Sequence, residues 1–311
     1  MKIGVVGGDS DFEIKTIKKS ENRIVFQETA SEILAISDSS KLVFSKKNGA
    51  LTSWKANEVE LLKGALEPHF WKTPNDNQKR GGYYEGLGKW KTASESLIVE
   101  NISLTSLNGL VSVIFKMNLP VIGAKYDLKY TINGDGQIQV EASYMPISKT
   151  IQQIPKFGMR IKIPENFNTV EWYGRGPWEN YPDRKTGSLI GIYESKLENF
   201  ITNYVASQDN ANRCDVRWFS FSEQNGSRIK ITGLQPLCFH AWPYTEADLE
   251  KANHPYELPH RDFINLNIDL NIHGVGGNDS WGAKTMEKYT IDGKKSYSYG
   301  FVMEALILRK K

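Results

Sequence analysis

The chain has 311 residues, 40% hydrophobic and 24% charged, which is the make-up of a globular protein with length for a large buried core. Lys+Arg 39 against Asp+Glu 36 leaves a formal charge of +3, too even for a nucleic-acid partner. No apolar run reaches the roughly 18 residues that cross a bilayer, so no membrane partner is expected either.

Met1 to Ser10 is neither a basic n-region nor a long apolar h-region, so the expectation is a soluble chain, cytoplasmic or periplasmic, with no signal peptide on it. Residues 1–23 read as a peripheral lead-in or linker, with Asp9, Ser10, Asp11 and a Lys15–Lys19 cluster. Compact patterning starts near Ile24 and makes 24–311 one domain, since large all-β units often exceed the length of a typical domain. Period-two alternation then dominates. Tyr126, Leu128, Tyr130 and Ile132 share one face of a strand, and Ile138, Val140, Ala142 and Tyr144 share one face of the next. Asn133-Gly134-Asp135-Gly136 between them reads as a hairpin turn. Phe157, Met159, Ile161 and Ile163 alternate again. Trp218–Phe221 and Ile229–Ile231 flank a second hairpin signal, Glu223 to Ser227.

Helical signals are few. Thr245-Glu246-Ala247-Asp248 is a capping-box pattern opening a short helix through about Lys251. Leu266, Ile268, Leu270 and Ile272 form another strand face, and the last strands lie near Tyr297 to Leu308. Strands do not alternate with helices of 10–15 residues, which excludes a (β/α)₈ barrel. The fold class is therefore all-β, a large antiparallel sandwich with few short helices. Aromatic residues, 11% of the chain, suit both a sheet core and a surface that stacks on rings.

Several patterns suggest chemistry and fail on spacing. Lys2 to Gly8 lacks G-x-G-x-x-G and a following helix. His254 and His260 are separated by two prolines and form no helical metal pair. Ser280 is not in G-x-S-x-G. Cys214 and Cys238 are too few for a disulfide framework or a four-ligand zinc site and are expected to be buried thiols. No metal site is expected. Glu171, Glu179, Asp183 and Asp279 are expected to bind backbone amides in turns.

Three polar, aromatic-rich segments depart from the sandwich pattern: Phe70 to Asn77 followed by Gly81-Gly82-Tyr83-Tyr84, Trp172 to Arg184, and Gly274 to Gly282. Each mixes Gly or Pro with Asn, Asp and large aromatics, residue types that hold a rigid loop with a ring at its surface. These segments resemble the C-terminal, small-chain domain of bacterial β-galactosidases of glycoside hydrolase family 2. That family reads F-W-R-A-P-x-D-N-D, W-x-G-x-G-P-x-E-N-Y-P-D-R and G-x-G-G-D-D-S-W. This chain reads F-W-K-T-P-N-D-N-Q from Phe70, W-Y-G-R-G-P-W-E-N-Y-P-D-R from Trp172 and G-V-G-G-N-D-S-W from Gly274. Asp209-Asn210-Ala211-Asn212-Arg213 is similar to the family's E-N-x-x-R. The matches run in family order over about Ile24 to Leu308.

The resemblance implies a supersandwich of the galactose-mutarotase-like class. It also implies that the catalytic glutamates of a retaining β-galactosidase lie on a (β/α)₈ barrel absent from this chain, so that no catalytic residue is expected here and the chain alone is expected to be inactive. The expected partners are the remainder of the parent enzyme, chiefly that barrel, and, weakly, a β-galactoside. A second copy of the chain, in a homo-oligomer, is a further candidate partner. The family's Mg and Na lie on other domains, so no cofactor is expected on this one. By the match, Trp281 is the leading substrate-binding candidate, an apolar platform beside the aglycone, with Asp279, Asn278, Asp76 and Asn77 around it. Asn75 to Gly82 is expected near the active-site entrance, as either a mobile loop or a wide turn. Arg175, Trp178, Glu179, Asn180, Asp183 and Arg184 are expected to stiffen a loop that docks against the barrel. Asn278, Gln78 and Asp209 depart from the family pattern; the first two bear on substrate preference. Stacking contributes about 0.5–1.5 kcal/mol, roughly ten-fold in affinity, so the chain alone is expected to bind lactose or galactose only in the millimolar range or more weakly. Two further readings are a stand-alone carbohydrate-binding or structural module and an aldose epimerase using His240, His273 and Glu304.

Overall fold

The computed structural model describes residues 3–5, 14–277, 279 and 281–308. Most of it is antiparallel sheet. Ile98–Leu107, Leu110–Leu119, Ala124–Asn133 and Ile138–Pro146 pair in succession, and Tyr297–Leu306 pairs beside the last of them. Next comes Arg228–Trp242, which bends. Its first half, through Gly233, pairs with Tyr297–Leu306, and its second half, from Cys238, pairs with Phe263–Ile272. At the bend a Cβ on Gly233 would lie 2.2 Å from the Gln235 carbonyl oxygen, so only glycine fits.

This shared strand joins the two layers of the sandwich. On one side the first layer continues through Arg213–Ser222, Thr169–Gly176 and Leu189–Lys196. The second layer continues from Phe263–Ile272 through Lys156–Pro164 and Gly64–His69 to the hairpins formed by residues 24–56. The architecture is the large antiparallel supersandwich expected.

Alternation decides which faces meet. Tyr126, Leu128, Tyr130 and Ile132 are fully buried, as are Ile138, Val140 and Tyr144 on the neighbouring strand. Gly136, at φ +80°, closes the hairpin between them. Phe157 is the hub of the aromatic core: its ring centroid lies 5.4 Å from Tyr299, 5.9 Å from Tyr297, 6.0 Å from Phe70 and 6.1 Å from Tyr144. Such offset and edge-on contacts add to the stabilisation from area burial alone.

The helix expected after Thr245 spans Glu246–Lys251 with its capping box formed. A second capping box was not anticipated. Asn75 caps a helix at Asp76–Arg80, with the Gln78 side chain returning to the Asn75 amide, and a further short helix follows at Tyr83–Leu87. The segment expected as a loop or wide turn is thus helical. Its signal, Asn-x-x-Gln, lay between Pro74 and Gly81-Gly82, which read as loop punctuation.

In the lead-in, Ile3–Val5 pairs antiparallel with Leu189–Lys196. Ile17 and Ser20 are buried, with the Ile17 amide donating to Gln139 Oε1 at 3.2 Å and Ser20 Oγ to Asp135 Oδ1 at 2.6 Å. The rest of the Lys2–Gly8 run and Asp9–Asp11 lie outside the described residues, as do Asn278 and Ser280. Among the described residues no helix is long and apolar enough to cross a membrane.

Candidate functional site

The three singled-out segments, far apart in sequence, meet at one place. The first clamps the third. Asn75 Nδ2 donates to the Val275 carbonyl at 2.7 Å and Gln78 Nε2 to that of Gly274 at 2.9 Å. Asn77 takes the Gly282 amide on Oδ1 at 2.7 Å and donates through Nδ2 to the Ala283 carbonyl, also at 2.7 Å. The second segment clamps the third from the other side, where Asp183 accepts the amides of Val275 at 3.1 Å and Gly276 at 2.5 Å. The backbones of the first and third segments nearly touch: a Cβ on Gly81 would lie 2.9 Å from the Gly282 carbonyl oxygen, and Gly282 itself sits at φ +109°. Within the third segment Asp279 Oδ1 accepts the amides of Trp281 at 2.8 Å and Ala283 at 3.1 Å. The Trp281 backbone is thereby fixed while its residue surface is 82% exposed. An indole held this way presents an apolar face for stacking without being part of the core.

The remaining substrate-side candidates fall as follows. Asp76 opens the first short helix, is exposed, and pairs with Lys79 at 3.6 Å. Asn77 commits both amide atoms to the third segment. Asn278 lies outside the described residues. Gln78 was expected on the ligand side; instead it is buried beneath the junction, where its Oε1 accepts from Lys72 Nζ at 2.9 Å and from the Asn75 amide at 3.1 Å. A cavity of about 230 Å³ remains at the junction between Asn75, Tyr181, Asp183, Tyr204, Asp209 and Val275, smaller than the roughly 300–1,000 Å³ of ordinary ligand pockets.

The second segment is internally braced. Asn180 is fully buried: Oδ1 accepts the Cys214 amide at 2.8 Å, Nδ2 donates to the Trp178 carbonyl at 3.0 Å, and its own carbonyl accepts from Asn212 at 2.6 Å. Arg175 pairs with Asp215 at 2.5 Å and donates to the Ser188 carbonyl at 2.8 Å. Glu179 accepts the Ala211 amide at 2.8 Å and is shared by Arg184 and Tyr204. Cys214 and Cys238 are buried free thiols beneath this loop, their sulfurs 3.3 Å apart. On its outer side Trp178 is 73% exposed. It continues through Glu179 and Tyr204 to Val205, whose carbonyl lies 2.9 Å from His254 Nδ1, and on to Tyr256, stacked on His254 at 5.4 Å. Val205 and Tyr256 are 85% and 83% exposed, so three large apolar side chains stand at the surface along this path, with Glu179, Tyr204 and His254 between them.

The fourth segment lies under the second. Asp209 is buried and accepts the Tyr181 hydroxyl at 2.5 Å; burial pushes its carboxyl up to about 6, against the pull of Lys72 and Tyr181. Arg213 stacks over Phe200 at 4.1 Å and Trp172 at 5.1 Å, and burial lowers its guanidinium to about 9.

His240, His273 and Glu304 are not brought together. His240 is sealed in the core near Asp209 and Asp269, and burial drives its imidazole well below the usual range. His273 lies against Gly274 and Gln153 and is lowered to about 4, mainly by burial. Glu304 meets Gln137. Of the four carboxylates expected on backbone amides, Glu179, Asp183 and Asp279 are found there, whereas Glu171 faces Arg228 at 4.0 Å. Among the described residues no cluster of three His, Cys, Asp or Glu side chains could hold a metal ion.

Comparison with known proteins matches residues 36–303 to the family described as beta galactosidase small chain. A beta-galactosidase of Priestia megaterium is 33% identical over 264 residues, 85% of this chain and 25% of that protein. One from Lactobacillus delbrueckii subsp. bulgaricus is 32% identical over 272 residues, 86% of this chain and 26% of that protein. The chain therefore spans about a quarter of the length of these relatives. Among solved structures, a galactose 1-epimerase from Lactobacillus acidophilus gives a TM-score of 0.50 at 7% identity over 92% of this chain and 98% of its own. A GH36 alpha-galactosidase from Geobacillus stearothermophilus gives 0.50 at 9% identity, over 91% of this chain and 41% of its own. At such identities the likeness is one of fold, the galactose-mutarotase-like supersandwich, and the scattered His240, His273 and Glu304 do not favour an epimerase.

Proposed function

Because the chain belongs to the β-galactosidase small-chain family, we propose that it is the C-terminal part of a retaining β-galactosidase, shaping the aglycone side of an active site whose catalytic glutamates lie on a (β/α)₈ barrel elsewhere in the enzyme. The observation that carries this reading is the clamped third segment: residues from two other segments hold its backbone, and its indole faces outward. In the assembled enzyme Trp281 stacks on the apolar C–H face of the aglycone ring, and Asp279 and Asn77 fix where that indole stands. The exposed Trp178, Val205 and Tyr256 meet the barrel, with Arg175, Glu179, Asn180, Asp183 and Arg184 keeping the loop rigid. Glycoside cleavage through a covalent intermediate needs two carboxyl groups about 5–5.5 Å apart flanking the bond, and those belong to the barrel.

Mixing this chain with the barrel-containing remainder of the enzyme tests the reading. Neither part alone is expected to hydrolyse an aryl β-galactoside, and the mixture is. Trp281→Ala should lower kcat/KM of the mixture about ten-fold, the worth of one stacking contact, without weakening association. Activity indifferent to Trp281→Ala would refute the platform.

A further inference from the structure

A second cleft, of about 470 Å³, is lined by none of the residues that clamp the Trp281 loop and has Glu67, His69, Lys91, Arg160, Glu246 and Glu250 among its walls. Its size is that of a small-molecule site. Strand pairing builds one wall: Arg160 stands opposite Glu67, and Gly158 opposite His69. The helix Glu246–Lys251 forms a second wall, with Glu246 and Glu250 one turn apart on the same face. Lys91 closes a third side.

The chemistry of these walls restricts the occupant. Arg160 pairs with Glu67 at 2.6 Å and Glu246 at 3.0 Å, while Glu250 takes the Trp71 indole N–H at 2.7 Å and pairs with Lys91. Positive and negative groups alternate and nearly cancel, which offers a phosphate or a polycation little net attraction. What the cleft does provide is charged acceptors beside charged donors, the groups that bond hydroxyls most strongly.

Beneath it the polarity continues inward. Asn265 and Asn267 donate to Glu246 at 3.2 and 3.0 Å, and Lys156 donates to Asn267 at 2.5 Å. His69 Nδ1, Asn265 Oδ1 and both ring nitrogens of His240 are buried there and make no hydrogen bond within the protein, while Asp269 pairs with Lys156 at 3.3 Å. Each such orphan costs about 1–3 kcal/mol, so an apolar floor would make a more stable domain. Glu246 is a poor base: burial opposes its charge, yet His69, Arg160 and Lys156 together hold it ionised well below the usual carboxylate range. The arrangement suits binding and not turnover.

We propose that this cleft is a second binding site, for a neutral, hydroxyl-rich molecule of monosaccharide size, separate from the junction that carries Trp281. It does not depend on the functional reading above. Saturation-transfer NMR on the full chain tests it, with methyl β-D-galactoside and D-glucose as neutral probes and glucose 6-phosphate as the charged control. Both neutral probes should show transfer at millimolar concentrations, and the phosphate should show less. Glu67→Gln should weaken neutral binding about ten-fold, the loss of one charge-assisted hydrogen bond. Trp281→Ala should leave it intact, and in that background, where the junction platform is gone, Thr92→Trp, which fills the cleft rim from an exposed position, should abolish it. Absence of transfer in the unmodified chain, transfer that survives Thr92→Trp in the Trp281→Ala background, or transfer lost in Trp281→Ala alone overturns the proposal. If Thr92→Trp does not fold, unchanged affinity in Glu67→Gln overturns it alone.

Discussion

Asn77 gives the sharpest test of how the Trp281 loop is held. Its side chain makes two hydrogen bonds of 2.7 Å, one from the Gly282 amide and one to the Ala283 carbonyl, on either side of the same peptide stretch. At about 0.5–1.5 kcal/mol each, the pair stabilises the closed loop by roughly 1–3 kcal/mol, which is about 5- to 150-fold in its opening equilibrium. The Gly282 amide reports that equilibrium directly, because Asn77 is its acceptor. Asn77→Ala should therefore speed hydrogen exchange at Gly282 by a factor in that range while the core strands keep their protection. Asn77→Asp retains an acceptor for Gly282 but turns an oxygen toward the Ala283 carbonyl, so its exchange should fall between the two. In the assembled enzyme Asn77→Ala should reduce kcat/KM no further than Trp281→Ala does, and the double variant should match Trp281→Ala, since Asn77 acts through the indole. Unchanged Gly282 exchange in Asn77→Ala would refute the clamp. A double variant much worse than Trp281→Ala would instead give Asn77 a direct substrate contact.

Phe157→Ala removes the hub of the aromatic core and should cost about 3–5 kcal/mol in denaturant unfolding. Trp178→Ala, by contrast, should change stability by less than about 0.5 kcal/mol, since the residue is 73% exposed, yet weaken association with the barrel-containing part in a pull-down or calorimetric titration. Asp209 has a folded carboxyl raised to about 6 from 3.8, chiefly by burial. Its contribution to stability is thus fully present below about 4 and is lost as pH rises through about 6. Asp209→Asn keeps an acceptor for Tyr181 and should flatten the thermal midpoint's dependence on pH across that window; an unchanged slope would show that Asp209 does not titrate there.

The strands were legible where one face meets the core and the other meets solvent, as in Ala124–Asn133 and Ile138–Pro146. The pattern misleads where a strand is covered on both faces. In Phe263–Ile272 the apolar residues Ile264, Leu266 and Ile268 alternate with Asn265, Asn267 and Asp269, which reads as a half-exposed strand, yet all six are buried. The polar three form the floor below the Glu246 cleft, so that floor was invisible in the sequence. Alternation reports chemical type, and only the second layer decides whether the polar side meets water. Trp281 is a different case. Its flanking glycines and Asp279 marked a tight turn, but the sequence could not show that Asn77 and Asp183, about 200 and 100 positions away, close around it.

That closure explains why the site takes this form. A stacking contact contributes about 0.5–1.5 kcal/mol, whereas fixing the backbone of one residue costs about 1–2 kcal/mol. If the Gly274–Gly282 loop ordered only when a sugar arrived, the ordering would cancel the stacking several times over, and an exposed indole would add nothing to catalysis. Hydrogen bonds donated by Asn75, Asn77 and Gln78 and accepted by Asn77, Asp183 and Asp279 hold Gly274–Gly276 and Trp281–Ala283 beforehand, so the stacking free energy remains available to the ligand. The same bonds occupy the carboxylates. Asp183 receives two amides, Asp279 receives two, and Glu179 is taken by Ala211, Arg184 and Tyr204. Carboxylates engaged this way hold backbone in place: Asp183 and Asp279 order the Trp281 loop, and Glu179 braces the second segment. On the function proposed above, the bonds that would present Trp281 as a platform are the same ones that keep Asp183 and Asp279 occupied.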